Sequence, residues 1–349
     1  MDNALMKKMV IRASVFTVLS LAVCLHRSAT KHIMITDAAG NRVDSVDTAR
    51  SYDLLVDKNV EPGKEGVLTI PLSKNVGSDD IVLEDRYIDH ELRIYIKGCK
   101  GDFYMDKPVV SALDSIEGAT CICEDDSNDV CLDFKLDGLY GNESLLTDQG
   151  TIEVTFFNPK ERYDRVVVVD PVGGGSEAGY TASDVKEKDI ALLVAKELKT
   201  ISDKDVGVRT KMYFTRMDDS DIEDSRRTDF LEETDADIYI RIGACTSENP
   251  GICGLCTEYN DTFFLRGLNN GELADILEKN CVAQMNCNAA GCHVTSDNIL
   301  AGVRIPSAKV NLGYVTNSGD AVNMQQSAYA KKAAEGIYIG ILEAFKEME

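Results

Sequence analysis

The chain has 349 residues, of which 44% are hydrophobic, so it is long enough for more than one domain with its own core. Its 59 acidic and 37 basic residues give a formal net charge of -22 at pH 7. This negative balance excludes the usual binding of nucleic acid, in which Lys and Arg neutralise phosphates, and it opposes docking on an anionic membrane. It is typical of a soluble, self-repelling surface.

The N-terminal segment differs from the rest of the chain. Lys7, Lys8 and Arg12 precede an uncharged stretch at residues 13–25, the pattern of an export signal whose basic end stays in the cytoplasm. The stretch is short for a membrane span, so a cleaved signal peptide and an uncleaved anchor both stay open. No small-x-small cleavage site follows, which favours an anchor. We expect residues 1–31 to be this segment and the remainder to be extracytoplasmic, with the membrane contacted only there.

The next segment, residues 32–160, has the pattern of β-strands. Residues 91–97, 130–137 and 151–157 each alternate hydrophobic with polar side chains, which indicates strands with one buried face. Clusters of Gly, Asn and Asp separate these runs. The pattern predicts a small β-sandwich domain.

The pattern changes in residues 161–349. The run RVVVVD at 165–170 is typical of a strand buried on both faces of a parallel sheet. Residues 188–200 have hydrophobic side chains at helical spacing, and strand and helix patterns alternate up to a helical pattern at 327–348. This order predicts an α/β domain with a mostly parallel sheet flanked by helices.

Six segments of this α/β region resemble, in the correct order, the motifs of one enzyme family. They are similar to the zinc-dependent N-acetylmuramoyl-L-alanine amidases of the Amidase_3 type, which cut the bond between muramic acid and the stem peptide of peptidoglycan. The resemblance runs from Arg165 to Phe345. The six segments are VVVVDPVGGG (166–175, resembling a strand and the loop D-P-G-H-G-G), VKEKDIALLVAKEL (185–198), MYFTRMDD (212–219), Arg227 in the next helix, ADIYIRIGACT (236–246, resembling S-I-H-A-N) and IPSAKVNLGYVTN (305–317, resembling P-A-V-L-V-E-L-G-F-L-S-N).

The resemblance implies a zinc site that this sequence has lost. In the family two histidines and a carboxylate hold the metal, and a glutamate acts as general base. Here Gly173 and Gly243 stand at the two histidine positions and Asn311 stands at the position of the glutamate, while Glu187 matches the carboxylate ligand. Glycine donates no ligand and an amide does not carry a proton at neutral pH. We therefore expect a degenerate enzyme without a zinc cofactor.

Two other chemistries are compatible with the same region. The run GGGSEA at residues 173–178 fits the dinucleotide motif G-x-G-x-x-A, but the helical pattern begins near Lys186 and not on the glycines, which opposes this interpretation. Alternatively, Cys245 would point to the same side as Gly243 in an extended strand. His293 is the only histidine of the domain. With Glu187 these two residues would form a rebuilt metal site, or by themselves a nucleophilic Cys–His dyad.

The eleven cysteines leave their pairing open. Cys121 and Cys123 are close in sequence, as are Cys253 and Cys256, but no second C-x-x-C completes a zinc motif. One or two disulfides and buried thiols are both compatible with an exported protein.

We therefore expect an exported, catalytically inactive amidase homologue that acts in binding or regulation of the cell wall. Its partners would be peptidoglycan or cell-wall proteins, and the β-rich region would be a wall-binding module of the AMIN type or a spacer. The alternative is an active peptidoglycan amidase with a rebuilt metal or Cys–His site.

Overall fold

The computed structural model describes residues 34–37, 50–123, 128–182, 184–205, 209–262 and 267–349. The chain divides into two compact units, the first ending at Phe157 and the second beginning at Asn158. The expected signal or anchor at residues 1–31 lies outside the described residues. Within the described residues, no helix combines the length and apolar character of a membrane span.

Among its described residues, the first unit contains two β-sheets and two short 3-10 helices, Ser78–Asp80 and Phe103–Met105. The strands are β1 (Met34–Asp37), β2 (Arg50–Asp53), β3 (Val56–Asp57), β4 (Val67–Pro71), β5 (Ile81–Arg86), β6 (Glu91–Ile96), β7 (Val109–Val110), β8 (Ile116–Cys123), β9 (Val130–Leu136), β10 (Gly141–Leu146) and β11 (Thr151–Phe157). One sheet has the strand order β1-β5-β6-β9-β8-β2 and the other β10-β11-β4-β7-β3.

Side chains from both sheets contribute to one hydrophobic core. Leu68 of β4 and Val154 of β11 belong to the same buried cluster as Ile94 of β6 and Leu132 of β9. In β6 every second residue is buried, as the alternation of residues 91–97 predicts, because successive side chains of a strand point to opposite faces.

The second unit is an α/β domain. Its elements, in chain order, are α1 (Pro159–Arg162), β12 (Arg165–Pro171), β13 (Thr181–Ala182), β14 (Val185–Lys186), α2 (Glu187–Lys204), β15 (Thr210–Phe214), α3 (Asp224–Glu233), β16 (Ile238–Cys245), β17 (Leu255–Tyr259), α4 (Asn270–Met285), β18 (Ala289–Val294), α5 (Asn298–Gly302), β19 (Ser307–Tyr314), α6 (Ser318–Met324) and α7 (Ser327–Met348).

The main sheet of this unit has the order β15-β12-β16-β19-β17-β18. Strands β15, β12, β16 and β19 are mutually parallel, whereas β17 is antiparallel to β19 and parallel to β18. Helix α7 packs against α2 and α4. The predicted mostly parallel sheet with flanking helices is confirmed. Its central strands are buried on both faces, which explains why their sequences are nearly continuous hydrophobic runs.

The parallel arrangement brings three of the sequence-selected positions to one edge of the sheet. Gly173 follows β12, Gly243 lies near the end of β16, and Asn311 of β19 pairs with Gly243. Because neighbouring parallel strands end on the same side, the segments that follow them line a common crevice.

Candidate functional site

A cleft of about 630 Å³ opens at the carboxyl ends of β12, β16 and β19. Its floor carries charged side chains from distant parts of the chain, and its rim is formed by the segment from Glu177 to Tyr180. The residues that the following paragraphs use are Gly173, Tyr180, Glu187, Arg227, Arg241 and Lys309.

Glu187 is held by three hydrogen bonds at the base of the cleft. It is the first residue of α2 and its side chain is 3% exposed. Its Oε2 accepts a hydrogen bond from the backbone N–H of Tyr180 at 2.9 Å, and its Oε1 accepts one from Ala244 N at 2.9 Å. The third donor is Lys309 Nζ, at 3.0 Å from Oε1. The carboxylate that matches the family's metal ligand is therefore bonded to an ammonium group.

Lys309 forms a buried ion pair with Glu187. Its side chain is 8% exposed, and its Nζ lies 5.7 Å from the centre of the Tyr180 ring. Burial by itself lowers the pKa of Lys309, but the charge and hydrogen bond of Glu187 outweigh it and raise this pKa above its ordinary value. The ammonium therefore stays protonated at neutral pH.

Lys309 is not among the residues selected from the sequence. A usable signal was nevertheless present, because Lys309 lies in the apolar run of β19, whose residues are buried from Ser307 to Gly313. A lysine in such a strand requires a buried counter-charge. The pattern shows that a partner is needed but does not identify it.

The two glycines at the histidine positions of the family motif have no room for a side chain in this structure. A Cβ on Gly243 would lie 2.5 Å from Lys309 Cε and would also collide with Glu187 Oε1. A Cβ on Gly173 would lie 2.6 Å from the carbonyl oxygen of Glu177, and Gly173 has φ +71°, a left-handed conformation that favours glycine.

The zinc implied by the family resemblance does not fit the residues present. Zinc sites use at least three protein ligands, and here Glu187 stands beside two glycines and is bonded to Lys309. Within the described ranges, no group of three or more His, Cys, Asp or Glu side chains could hold a metal ion.

Asp170 organises the neighbouring part of the floor. This fully buried carboxylate forms ion pairs with Arg227 and Arg241 and accepts hydrogen bonds from Thr215 and Tyr239. Burial by itself raises the pKa of Asp170, but the two guanidinium groups and the two hydroxyls hold it well below its usual range. Asp170 is therefore ionised at neutral pH.

Two arginines hold the glycine loop after β12 through its carbonyl groups. Arg227, the family-matched arginine, donates from Nη2 to the carbonyl of Gly173 at 2.8 Å. Arg216 donates to the carbonyls of Pro171 at 3.0 Å and Val172 at 2.8 Å, and also bonds Lys188 O at 2.9 Å. These bonds preserve the shape of the loop although it carries no histidine.

Asn311 and Cys245, two further residues selected from the sequence, contact side chains of β17. Asn311 is fully buried and donates from Nδ2 to Glu258 Oε2 at 2.9 Å, while its Oδ1 has no partner among the described residues. Cys245 Sγ lies 3.0 Å from Cys256 Sγ.

The structure does not bring Cys245 and His293 together. His293 is exposed in β18 and its Nε2 lies 3.0 Å from Ala290 O. Strands β19 and β17 lie between β16, which carries Cys245, and β18. The neighbour of Cys245 is a second thiol and not the imidazole that a dyad or a rebuilt metal site requires.

The fold and the site define an α/β protein with a cleft at the carboxyl edge of a mostly parallel sheet. Residues 167–343 match the N-acetylmuramoyl-L-alanine amidase family, Amidase_3. The match spans half of the chain, and the chain belongs to this family.

Several curated proteins are similar to this chain. N-acetylmuramoyl-L-alanine amidase LytC of Bacillus subtilis is 22% identical over 180 residues, which cover 52% of this chain and 35% of LytC. The probable cell wall amidase LytH of Staphylococcus aureus is 26% identical over 200 residues, covering 54% of this chain and 62% of LytH. The matched segment thus spans about a third of LytC and less than two thirds of LytH.

Solved structures of N-acetylmuramoyl-L-alanine amidases are similar to about half of this chain. The catalytic domain of the amidase CwlV from Bacillus (Paenibacillus) polymyxa is 20% identical with a TM-score of 0.48, covering 53% of this chain and 99% of that domain. The amidase AmiC2 of Nostoc punctiforme is 25% identical with a TM-score of 0.48, covering 52% of this chain and 97% of AmiC2. The CwlD amidase of Clostridioides difficile, solved in complex with the GerS lipoprotein, is 20% identical with a TM-score of 0.48, covering 52% of this chain and 98% of CwlD.

Proposed function

We propose that this chain is a non-catalytic member of the amidase family that binds peptidoglycan in the cleft at the carboxyl ends of β12, β16 and β19. The observation that carries the proposal is the buried ion pair between Lys309 and Glu187. It neutralises the carboxylate that the family resemblance assigns to zinc.

The chemistry of a metal amidase requires more than this cleft supplies. A catalytic zinc needs three protein ligands and an open position for water. The positions equivalent to two ligands are Gly173 and Gly243, and the third, Glu187, is bonded to an ammonium group. A general base is also needed, and the amide of Asn311 does not accept a proton near neutral pH. These features support the proposal that the chain keeps the amidase fold without the groups that catalysis requires.

The cleft itself is suited to a ligand. Its volume of about 630 Å³ is in the range of small-molecule sites. Tyr180 is 48% exposed at the rim and presents an aromatic ring to the cleft, and Asp224 and Asn298 add exposed polar groups. An aromatic face with hydrogen-bonding neighbours suits sugars and peptides, and peptidoglycan, the substrate of the family, consists of both.

The proposed place of action is outside the cytoplasm. Lys7, Lys8 and Arg12 before the uncharged stretch at residues 13–25 support export, either as a secreted or as an anchored protein. The first unit would then hold the amidase-like unit at the wall or act as a spacer. Protease added to intact, wall-stripped cells should degrade the chain, and full protection would contradict export.

The binding experiment uses the purified full chain and insoluble peptidoglycan. The wild type should cosediment with peptidoglycan, and Tyr180→Ala should weaken binding by about tenfold, the effect of losing roughly 1.4 kcal/mol of ring contact. Val322→Ala is the matched control, because Val322 is also an exposed hydrophobic side chain but does not line the cleft. Failure of the wild type to cosediment would contradict the binding role.

The same preparations test whether the chain is catalytic. We expect no release of stem peptides from peptidoglycan with added zinc, and no stoichiometric zinc by elemental analysis. Release that Glu187→Ala abolishes would identify an active amidase with a changed site, and the non-catalytic assignment would then be wrong.

A further inference from the structure

Two thiols lie in contact beside the cleft. Cys245 ends β16 and Cys256 lies near the start of β17, and their sulfur atoms are 3.0 Å apart. Strand β19 lies between these two strands, and Cys256 is paired with Asn311 of that strand. The contact therefore connects β16 with β17, which lie on either side of β19, the strand that carries Lys309 and Asn311.

We propose that Cys245 and Cys256 form a redox pair, a dithiol that a disulfide-class oxidant converts reversibly into an intramolecular disulfide. The proposal rests on geometry. A disulfide has an S–S length of about 2.0 Å, so the two sulfurs need to approach each other by only about 1 Å. Neither thiol is needed for the binding proposed above, and the inference does not depend on it.

The hydrogen bonds around the pair favour thiolate chemistry. The bond between the two thiols lowers the pKa of Cys256 and, together with burial, raises that of Cys245. Asn311 and Tyr314 also hydrogen-bond to Cys256 and lower its pKa further. A thiolate is the species that attacks disulfides, and the contact between the two thiols favours the thiolate form of Cys256.

Access decides which sulfur reacts first. Cys245 is half-buried, whereas Cys256 is buried. One of the two thiol protons is lost to solvent and the other passes to Cys256, and the resulting Cys245 thiolate attacks one sulfur of an external disulfide R–S–S–R. A mixed disulfide of Cys245 forms and one RS⁻ leaves. The released RS⁻ takes the proton of Cys256, and the Cys256 thiolate then attacks Cys245 Sγ and expels the second RS⁻, which is protonated by solvent. The two cysteines lose two electrons and two protons, and the external disulfide is reduced to two RSH.

The sequence favours a competing partner for Cys256. Cys253 is three residues away in the C-x-x-C segment, whereas Cys245 is eleven residues away. In the structure, however, the thiol of Cys253 receives a contact from Asn288 Nδ2 at 3.6 Å, and the sulfur against Cys256 is that of Cys245. The two pairings predict different cross-linked peptides.

Oxidation of the two thiols would also change a hydrogen bond at the floor of the cleft. Ala244, directly before Cys245, donates its backbone N–H to Glu187 at 2.9 Å. Drawing Cys245 toward β17 shifts the end of β16, and with it the donor that helps to hold the Glu187 carboxylate.

The experiment maps disulfides in the full chain. Reduced protein is exposed to oxidised glutathione, the remaining thiols are alkylated, and the digested peptides are identified by mass. We expect a Cys245–Cys256 cross-link, two hydrogen atoms lighter than the reduced pair and reversed by dithiothreitol, to form before any other internal disulfide. Because the map is made on the wild type, it does not depend on a variant that folds.

Three serine variants provide the control. Cys245→Ser and Cys256→Ser should each lose the cross-link, and Cys253→Ser should retain it. A Cys253–Cys256 cross-link that Cys253→Ser abolishes would overturn the proposal. The proposal would also be overturned if both Cys245 and Cys256 were alkylated in folded protein after exposure to an excess of oxidised glutathione.

Discussion

Lys309 Nζ lies 3.0 Å from Glu187 Oε1, and both side chains are buried although they are 122 residues apart in the sequence. This ion pair fills the position next to Gly243 that a ligand side chain would need. A single lysine therefore places a fixed cation on the Glu187 carboxylate and occupies the space beside Gly243.

The first prediction concerns the stability of this pair. Lys309→Met leaves the Glu187 carboxylate buried without its counter-charge and should lower the free energy of unfolding by about 3 kcal/mol. The double variant Glu187→Gln with Lys309→Met replaces both charges and should recover most of that loss. Urea unfolding measures all three proteins.

The control for this cycle is an exposed lysine ion pair. Lys279 pairs with Asp275 on the surface of α4, where both side chains are largely in solvent. Lys279→Met should change the free energy of unfolding by less than about 1 kcal/mol. If Lys309→Met were no more destabilising than Lys279→Met, Lys309 would not be needed to compensate the buried charge of Glu187.

The second prediction concerns reconstruction of a zinc site. Gly173→His with Gly243→His should not produce stoichiometric zinc binding, because the Lys309 ammonium repels a dication and its stem occupies the space beside Gly243. Adding Lys309→Leu, the residue type that the family motif has there, removes both obstacles. The triple variant should then bind zinc with an affinity higher by orders of magnitude.

Calorimetric titration measures zinc binding, and circular dichroism checks folding. The second measurement matters because Gly173 has a positive φ and histidine there will cost stability. Adding Asn311→Glu should leave zinc affinity unchanged, since that position matches a base and not a ligand. Stoichiometric zinc binding by the double variant alone would show that Lys309 does not block the site.

The third prediction concerns Asp170. Asp170→Asn leaves the guanidinium groups of Arg227 and Arg241 without their buried counter-charge and should cost about 3 kcal/mol or more of unfolding free energy. Asp229→Asn is the control, because Asp229 is exposed on α3, and it should change stability by less than about 0.5 kcal/mol. Equal effects of the two variants would contradict the buried network.

The fourth prediction is the pH dependence that follows from the same carboxylate. The pKa of Asp170 is lowered in the folded protein, so its stabilising contribution is complete above the unfolded value of about 3.9. As pH falls below that value, the unfolded chain binds a proton that the folded chain does not. This site should therefore reduce stability by up to about 1.4 kcal/mol per pH unit.

Urea unfolding between about pH 5 and pH 3 tests this dependence. As pH falls, the free energy of unfolding should decrease more steeply for the wild type than for Asp170→Asn. The difference between the two slopes should correspond to uptake of up to one additional proton on unfolding. Parallel curves for the two proteins would mean that Asp170 takes up its proton equally in both states, which the four bonds to it in the structure oppose.

The sequence determined the elements that have a strong local period. The apolar run at 165–170 became β12, the helical spacing at 188–200 lies within α2, and residues 307–314 became β19. Because parallel strands end at one edge, the order of these elements is consistent with Gly173 and Gly243 lying at the same edge of the sheet, where the structure also has Glu187. The family motifs carried the same information residue by residue.

Only the tertiary structure decided which groups touch. The partner of Lys309 is Glu187 and the partner of Cys256 is Cys245, although Cys253 is closer in the chain. Periodicity reports which face of an element is buried, since it arises from the geometry of one helix or strand. Contacts between elements depend on strand order and register, which are set by the packing of the whole sheet. For this reason Gly173 and Gly243 could be selected from the sequence, whereas the ion pair between Lys309 and Glu187 could not.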